Sequence, residues 1–384
     1  MSVEEKSISK KKRIYFENLD GLRFLCFLSV FFFHSFHTEY EAISGSAIYH
    51  FFKVDIFGNG NIGVNFFFVL SGFLITFLLI EEKKLNGQIN LKKFWIRRML
   101  RIWPLFYFCV LFGFYIFPIL KTMFGQVPNE TANIGYYLLF LNNFDFINNG
   151  IPDSSMLGLL WSVAIEEQFY LVWPIILFLL PIKRYWMAFV AIIGVSLVFR
   201  ASNDVGILHE HHTLSCIGDM AIGAFGAWLV NQFDSIREYF ENLNKGWILS
   251  FYALFWLIFF FRDEFMYDFY VIRIFERSFL AIVILLIILE QNYSKKSFFK
   301  MSRLVTISKL GVISYGLYCL HKLGILITIN LTKIVGLNYE IWHVMVLETA
   351  LALLITIVIS KVSYRFYESP FLKLKDKYAF ITKN

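Results

Sequence analysis

Stretches long and apolar enough to cross about 30 Å of hydrocarbon recur along the whole chain, near 18–38, 60–82, 98–120, 159–180, 184–200, 213–232, 246–262, 271–291, 308–331 and 341–363. No other feature restricts the fold as much. Inside a bilayer the backbone must satisfy its own hydrogen bonds, which only helices and closed barrels do. Runs of this length predict an all-α polytopic membrane protein with about ten transmembrane helices. Hydrophobic residues make up 58% of the 384, with 46 phenylalanines and a mean hydropathy of +0.59, a composition foreign to soluble domains.

An even number of spans puts both termini on one side. If that side is the cytoplasm, most of the 36 Lys and Arg residues fall in the two tails and in alternate short loops, as orientation by positive charge requires. The formal charge of +7 then reflects membrane orientation and attraction to anionic lipid, and no nucleic-acid partner is expected. Residues 1–17 read as a basic cytoplasmic tail, 18–370 as one transmembrane domain and 371–384 as a cytoplasmic C-terminal tail. No small-residue cleavage site follows the first apolar run, which is expected to be an anchor and not a removed signal. The longest polar insertion, Lys121 to Gly158, is expected to form a partly ordered loop over the outer mouth. Cys26, Cys109, Cys216 and Cys319 fall within predicted spans without metal or redox spacing, so neither a disulfide framework nor a metal site is expected. His209, Glu210, His211 and His212 read as an exposed polar loop.

Arg23 and His34 are the first candidates for chemistry. Eleven helical steps return to within about 20° of the starting face and advance roughly 16 Å, so both should face one interior column. Ionisable groups at bilayer depth are costly unless they face a polar cavity; a snorkelling Arg and a core His is the bland alternative. Ser71-Gly72, among bulky aromatics, fit close helix packing better than a functional role. In Arg97-Arg98-Met99-Leu100-Arg101 the three- and four-residue spacings allow a shared helical face. Such a cluster is either a basic membrane flank or a set of guanidinium forks that grips phosphates.

Trp161-Ser162-Val163-Ala164-Ile165-Glu166-Glu167-Gln168 opens the fourth run. Ser162 is a plausible N-cap, and one of Glu166 and Glu167 should face the cavity while the other meets a helix partner. Ser314, Tyr318 and His321 form a polar stripe on the ninth run, with His321 either a core residue or a substrate contact. Arg365 and Glu368 are expected to pair at the membrane boundary.

Taken in order, these segments resemble the membrane-bound acyltransferase 3 family. Leu19-Asp20-Gly21-Leu22-Arg23 with His34, Gly63 to Ile75, Arg97 to Pro104, Trp161 to Pro174, Ser314 to His321 and Glu368-Ser369-Pro370 carry the resemblance over almost the whole chain. Asn65 departs from it, standing where many members have an acid. The chain also looks like the short form without an extracellular hydrolase-like domain. The resemblance implies a multi-pass enzyme of the inner (cytoplasmic) membrane. Such enzymes move an acyl group, by family habit acetyl, from cytoplasmic acyl-CoA to a hydroxyl of a glycan or cell-envelope saccharide. His34 would be the base, with Glu166 or Glu167 orienting it or contacting the acceptor. Arg23, Arg97, Arg98 and Arg101 would hold the donor, and Trp161, Ser162, Tyr318 and His321 the substrate; no bound cofactor is expected. A transporter or flippase for a lipid-linked saccharide or small molecule, using the same His and Glu residues as a proton relay, is the rival reading. It leaves the Arg cluster without a task.

Overall fold

A computed structural model describes residues 15–266 and 269–379; the expected basic cluster Lys10 to Arg13 lies outside them. Among the described residues, ten helices of 15 residues or more follow the ten apolar runs. They are α1 Glu17–Phe33, α2 Ile62–Asn86, α3 Leu91–Leu111, α4 Trp161–Leu179, α5 Tyr185–Ser202, α6 Thr213–Gln232, α7 Lys245–Met266, α8 Tyr270–Tyr293, α9 Ser314–Ile334 and α10 Thr349–Ser363. No strand occurs among the described residues. Among the described residues, eight helical stretches are long and apolar enough to cross a membrane. The two that fall short are α1, at 17 residues, and α8, which carries Arg273, Glu276, Arg277 and Glu290.

The side chains sort as a lipid-facing bundle requires. Leu171, Leu179, Val198 and Leu257 are exposed, whereas Arg200, Asp219, Arg262 and Arg277 are buried, so charge is kept inside where partners can be found. The chain is a multi-pass, all-α membrane protein. Its helix ends follow local chemistry. Gly87, at φ +78°, ends α2 in the left-handed conformation that glycine adopts freely. Asn90 Oδ1 accepts from the Lys93 amide at 2.9 Å and caps α3. From the end of α2, Lys83 Nζ donates to the Leu177 and Leu180 carbonyls at 2.8 and 2.6 Å, satisfying acceptors that the C-terminus of α4 leaves open.

Glycines set a close crossing between α2 and α6. A Cβ on Gly72 would lie 2.0 Å from the Met220 carbonyl oxygen, and one on Gly223 would lie 2.1 Å from that of Val69. Backbone cannot yield as a side-chain tip can, so the helices would have to separate. Gly72→Ala is expected to cost about 1–3 kcal/mol or more, read as a lower thermal midpoint of the detergent-purified protein; an unchanged midpoint would show that the crossing adapts.

Several expectations are corrected. The ninth run is not one helix: Val305–Val312 breaks at Ile313 before α9, and Gly311 lets this segment lie on α1, where a Cβ would meet the Asp20 carbonyl oxygen at 1.7 Å. Lys121 to Gly158 is more ordered than expected, with short helices Ile134–Leu138, Asn142–Asn149 and Ser155–Gly158. Gln168 Nε2 anchors it, donating to the Phe140 carbonyl and to Asn143 Oδ1 at 2.8 Å each. Lys121 also clamps both Asp153 oxygens at 2.7 and 2.8 Å. Burial raises the Asp153 pKa, but the Lys121 ammonium and the Asn129 amide outweigh it and hold the carboxyl below its ordinary range.

His209 to His212 is not an exposed loop. His209 is buried, with Nε2 3.1 Å from the Arg200 carbonyl oxygen, and His211 stacks on Phe146. Glu368 does not pair with Arg365; it accepts from Ser363 Oγ at 3.0 Å. The C-terminal segment returns to α3, where Arg97 Nη1 donates to the Tyr378 carbonyl at 2.9 Å.

Candidate active site

A cavity of about 110 Å³ opens where α1, α2, α3, α4 and α9 converge. Arg23, Ser71, Arg98, Arg101, Ser162, Glu166, Tyr170, Ser314 and Tyr318 supply its polar lining, and Phe67 and Phe68 are among its apolar walls. Five separate stretches of sequence therefore meet in one chamber.

Three guanidinium groups dominate its electrostatics. Arg23 Nη1 is held by Asp20 Oδ1 at 2.7 Å, and Asp20 also accepts from the Tyr15 hydroxyl. Arg98 lies 5.7 Å from the ring centroids of Phe94 and Tyr170, and its Nε is buried without a hydrogen-bond partner. Arg101 is within electrostatic reach of Arg23 and Arg98. The facing carboxylate is Glu166, whose Oε1 accepts from Ser71 Oγ at 2.8 Å and Oε2 from the Tyr170 hydroxyl at 3.0 Å. Fixed donors on both oxygens hold the carboxylate still while leaving it at the cavity surface.

The adjacent acid has another place. Neighbouring helical residues point about 100° apart, and Glu167 turns to Trp103, whose Nε1 donates to Oε2 at 2.8 Å; its Oε1 is buried without a partner. The same angle splits the arginines. Arg97 leaves the cavity for Glu82 Oε2 at 3.1 Å, so the three arginines do not share one face. Ser162 does not cap α4: its Oγ lies 2.7 Å from the Tyr318 hydroxyl. Trp161 packs near Phe68 and His211, at ring distances of 6.4 and 4.4 Å, and is not among the lining residues. Ser71 and Gly72 divide their tasks, the serine holding Glu166 and the glycine allowing the helix crossing.

His34 is not a cavity-lining residue either. It ends α1, half-buried, and its ring stacks on His321 at 5.4 Å and 27°. Tyr318 stands between the two sites, lining the cavity with its ring 6.0 Å from that of His321. His321 Nδ1 lies 2.7 Å from the Tyr318 carbonyl oxygen. A carbonyl only accepts, so Nδ1 carries the proton, and Nε2, buried without a partner, presents a lone pair. The turn after His34 is tightly determined. Phe36 takes φ +64°, a region bulky residues rarely occupy; Tyr49 donates to its carbonyl at 2.5 Å. Lys53 Nζ bonds the Phe33 and Ser35 carbonyls at 3.0 and 2.7 Å. Strain kept in place by several bonds is common where side chains must be preset.

A buried ionic network behind the cavity wall was not foreseen. Asp219 Oδ2 accepts from Arg277 Nε at 2.9 Å and from Asn65 Nδ2 at 3.1 Å. Arg262 bridges Glu210 and Glu276 at 2.9 and 2.5 Å, and Arg200 reaches Glu276 at 3.4 Å. Arg200, Arg262 and Arg277 thus face Glu210, Asp219 and Glu276 in balance, and the Arg277 guanidinium lies 5.8 Å from the ring centroid of Phe68. The signal was present in the sequence, since Asp219, Glu276 and Arg277 lie within predicted spans where lone charges are costly. Asn65, the departure from the family pattern, has its role here as a donor to Asp219.

Comparison with known proteins adds what geometry does not. A family model described as an acyltransferase domain, that of the membrane-bound acyltransferase 3 family, matches residues 16–364. The peptidoglycan O-acetyltransferase OatA of Listeria monocytogenes is 28% identical over 99% of this chain and 61% of its own length. The O-acetyltransferase OatA of Staphylococcus aureus is 28% identical over 96% of this chain and 59% of its own. The chain thus spans about three-fifths of the length of these curated relatives. No solved structure matches it.

Proposed function

Because the chain belongs to the membrane-bound acyltransferase 3 family, we propose that it is a membrane O-acyltransferase taking an acetyl group from acetyl-CoA to a saccharide hydroxyl. The observation that carries this reading is the cavity lined by Arg23, Arg98 and Arg101 together with Glu166. Guanidinium forks match phosphate oxygens, and a donor that bears phosphates entering from the cytoplasm meets them first.

In the reaction the acceptor oxygen attacks the thioester carbonyl, a C–O bond forms and the C–S bond breaks. The hydroxyl proton passes to the His34 imidazole and from there to the departing thiolate, so no further reactant is needed. His321 holds the His34 ring by stacking, and Tyr318, between cavity and imidazoles, is the residue past which the acyl arm reaches His34. Peptidoglycan, the acceptor named for the Listeria relative, is the first saccharide to test.

Arg98→Gln and Arg101→Gln are each expected to weaken acetyl-CoA binding at least about ten-fold, as loss of a charge-assisted hydrogen bond implies, with little effect on acetyl-pantetheine, which lacks the nucleotide phosphates. Equilibrium binding to purified protein in nanodiscs reads this. Equal losses for both donors would mean that the arginines support the fold and do not grip phosphate.

A further inference from the structure

Resting on the acyltransferase reading, we propose that Lys53 and Lys322 form an anion-recognition site beside His34, and that the acceptor is a saccharide whose phosphate or carboxylate docks there. Lys322 follows His321 in α9 and is half-buried, yet it makes no hydrogen bond or ion pair among the described residues. A lysine at membrane depth is rare unless it faces a polar site or a partner. Its charged neighbour is a second cation, Lys53, whose ammonium is tied only to the Phe33 and Ser35 carbonyls. The leading electrostatic neighbours of His34 are Lys322, His321, Lys53 and His37, a set without a carboxylate.

Three acids of the surrounding segments have partners elsewhere. Glu39 pairs with Lys333 at 2.7 Å, Asp55 lies 3.7 Å from His50, and Glu348 accepts from Thr332. The buried, unpartnered Nε2 of His321 presents a lone pair, which suits a hydroxyl of the same saccharide and not its anionic group. Two cations left uncompensated beside the imidazole pair are relieved by an anion. The donor's phosphates have their own arginines across the Tyr318 partition, which leaves the acceptor. Lys53 is carried on Phe51–Ile56, beside the exposed polar side chains of His50 and Asp55, so a polar acceptor has a route to it. Compact ammonium groups suit either a phosphate or a carboxylate as point charges.

The test reads binding without donor, in nanodiscs, for three ligands: N-acetylglucosamine, its 1-phosphate and N-acetylmuramic acid. The wild-type protein is expected to bind one or both anionic sugars at least about ten-fold more tightly than the neutral one, the scale of a charge-assisted contact. The preferred ligand distinguishes phosphate from carboxylate. Lys322→Gln should erase the preference and Lys322→Arg retain it, a rescue that a merely structural lysine would not show. Equal wild-type binding of neutral and charged sugars, or a preference that survives Lys322→Gln, overturns the proposal. Because no turnover is measured, this outcome is separate from the acyltransferase reading, which falls instead if labelled acetyl-CoA transfers nothing.

Discussion

Replacing His34 with alanine is expected to lower acyl transfer by about 10²–10⁴-fold, the range that a positioned proton acceptor supplies, while acetyl-CoA binding stays as in the wild type. The separation follows from geometry. The arginines that would hold the donor line the cavity, whereas His34 stacks on His321 beyond Tyr318, so removing the imidazole leaves those arginines in place. Membranes bearing the variant, supplied with labelled acetyl-CoA and peptidoglycan fragments, give the transfer rate; equilibrium binding gives the donor affinity. Transfer at the wild-type rate would remove His34 from the mechanism. Loss of both activities together would indicate that the turn at Phe36 had collapsed and that the histidine is structural.

The second large effect is in the ionic network. Asp219→Leu leaves Arg277 buried at 2% exposure without its closest carboxylate, and breaking one partner of such a pair costs about 3–5 kcal/mol. The double variant Asp219→Leu, Arg277→Met removes both charges and should recover most of that loss, since well-packed apolar replacements of a buried pair are often neutral. Thermal unfolding of the four proteins in detergent forms a double-mutant cycle. Additive losses would mean that Asp219 and Arg277 do not stabilise each other. Phe68, which lies against Arg277 and lines the cavity, links this cycle to the site, so the single variant should also lose donor binding.

The helical segments were legible because hydrocarbon imposes one rule everywhere. About twenty apolar residues must form a helix, and that rule acts on the sequence without regard to neighbours. Deviations arise where neighbours decide. Val305–Val312 separates from α9 at a point set by the close fit of Gly311 on Asp20, which no periodicity encodes. His209 and Glu210 read as a polar loop by composition, yet Arg200, at the end of the preceding helix, and Arg262, distant in sequence, draw them inside.

The site divides in the same way. Arg23, His34, Arg98, Arg101, Glu166 and His321 could be picked out from the sequence alone, because an ionisable group inside an apolar run is visible wherever it occurs. Lys322 carried the same signal and was passed over. What the sequence did not settle was which of two adjacent charges faces the chamber. Glu166 and Glu167, like Arg97 and Arg98, differ by one helical step, and the rotation of each helix about its axis is set by packing. Trp103 takes Glu167, Glu82 takes Arg97, and Ser71 with Tyr170 takes Glu166. Composition and the length of apolar runs determined that this chain is a helical membrane bundle with charge in its interior. Tertiary structure alone decided which charges meet in a cavity and which cancel in a network, because those outcomes depend on contacts between residues up to hundreds of positions apart.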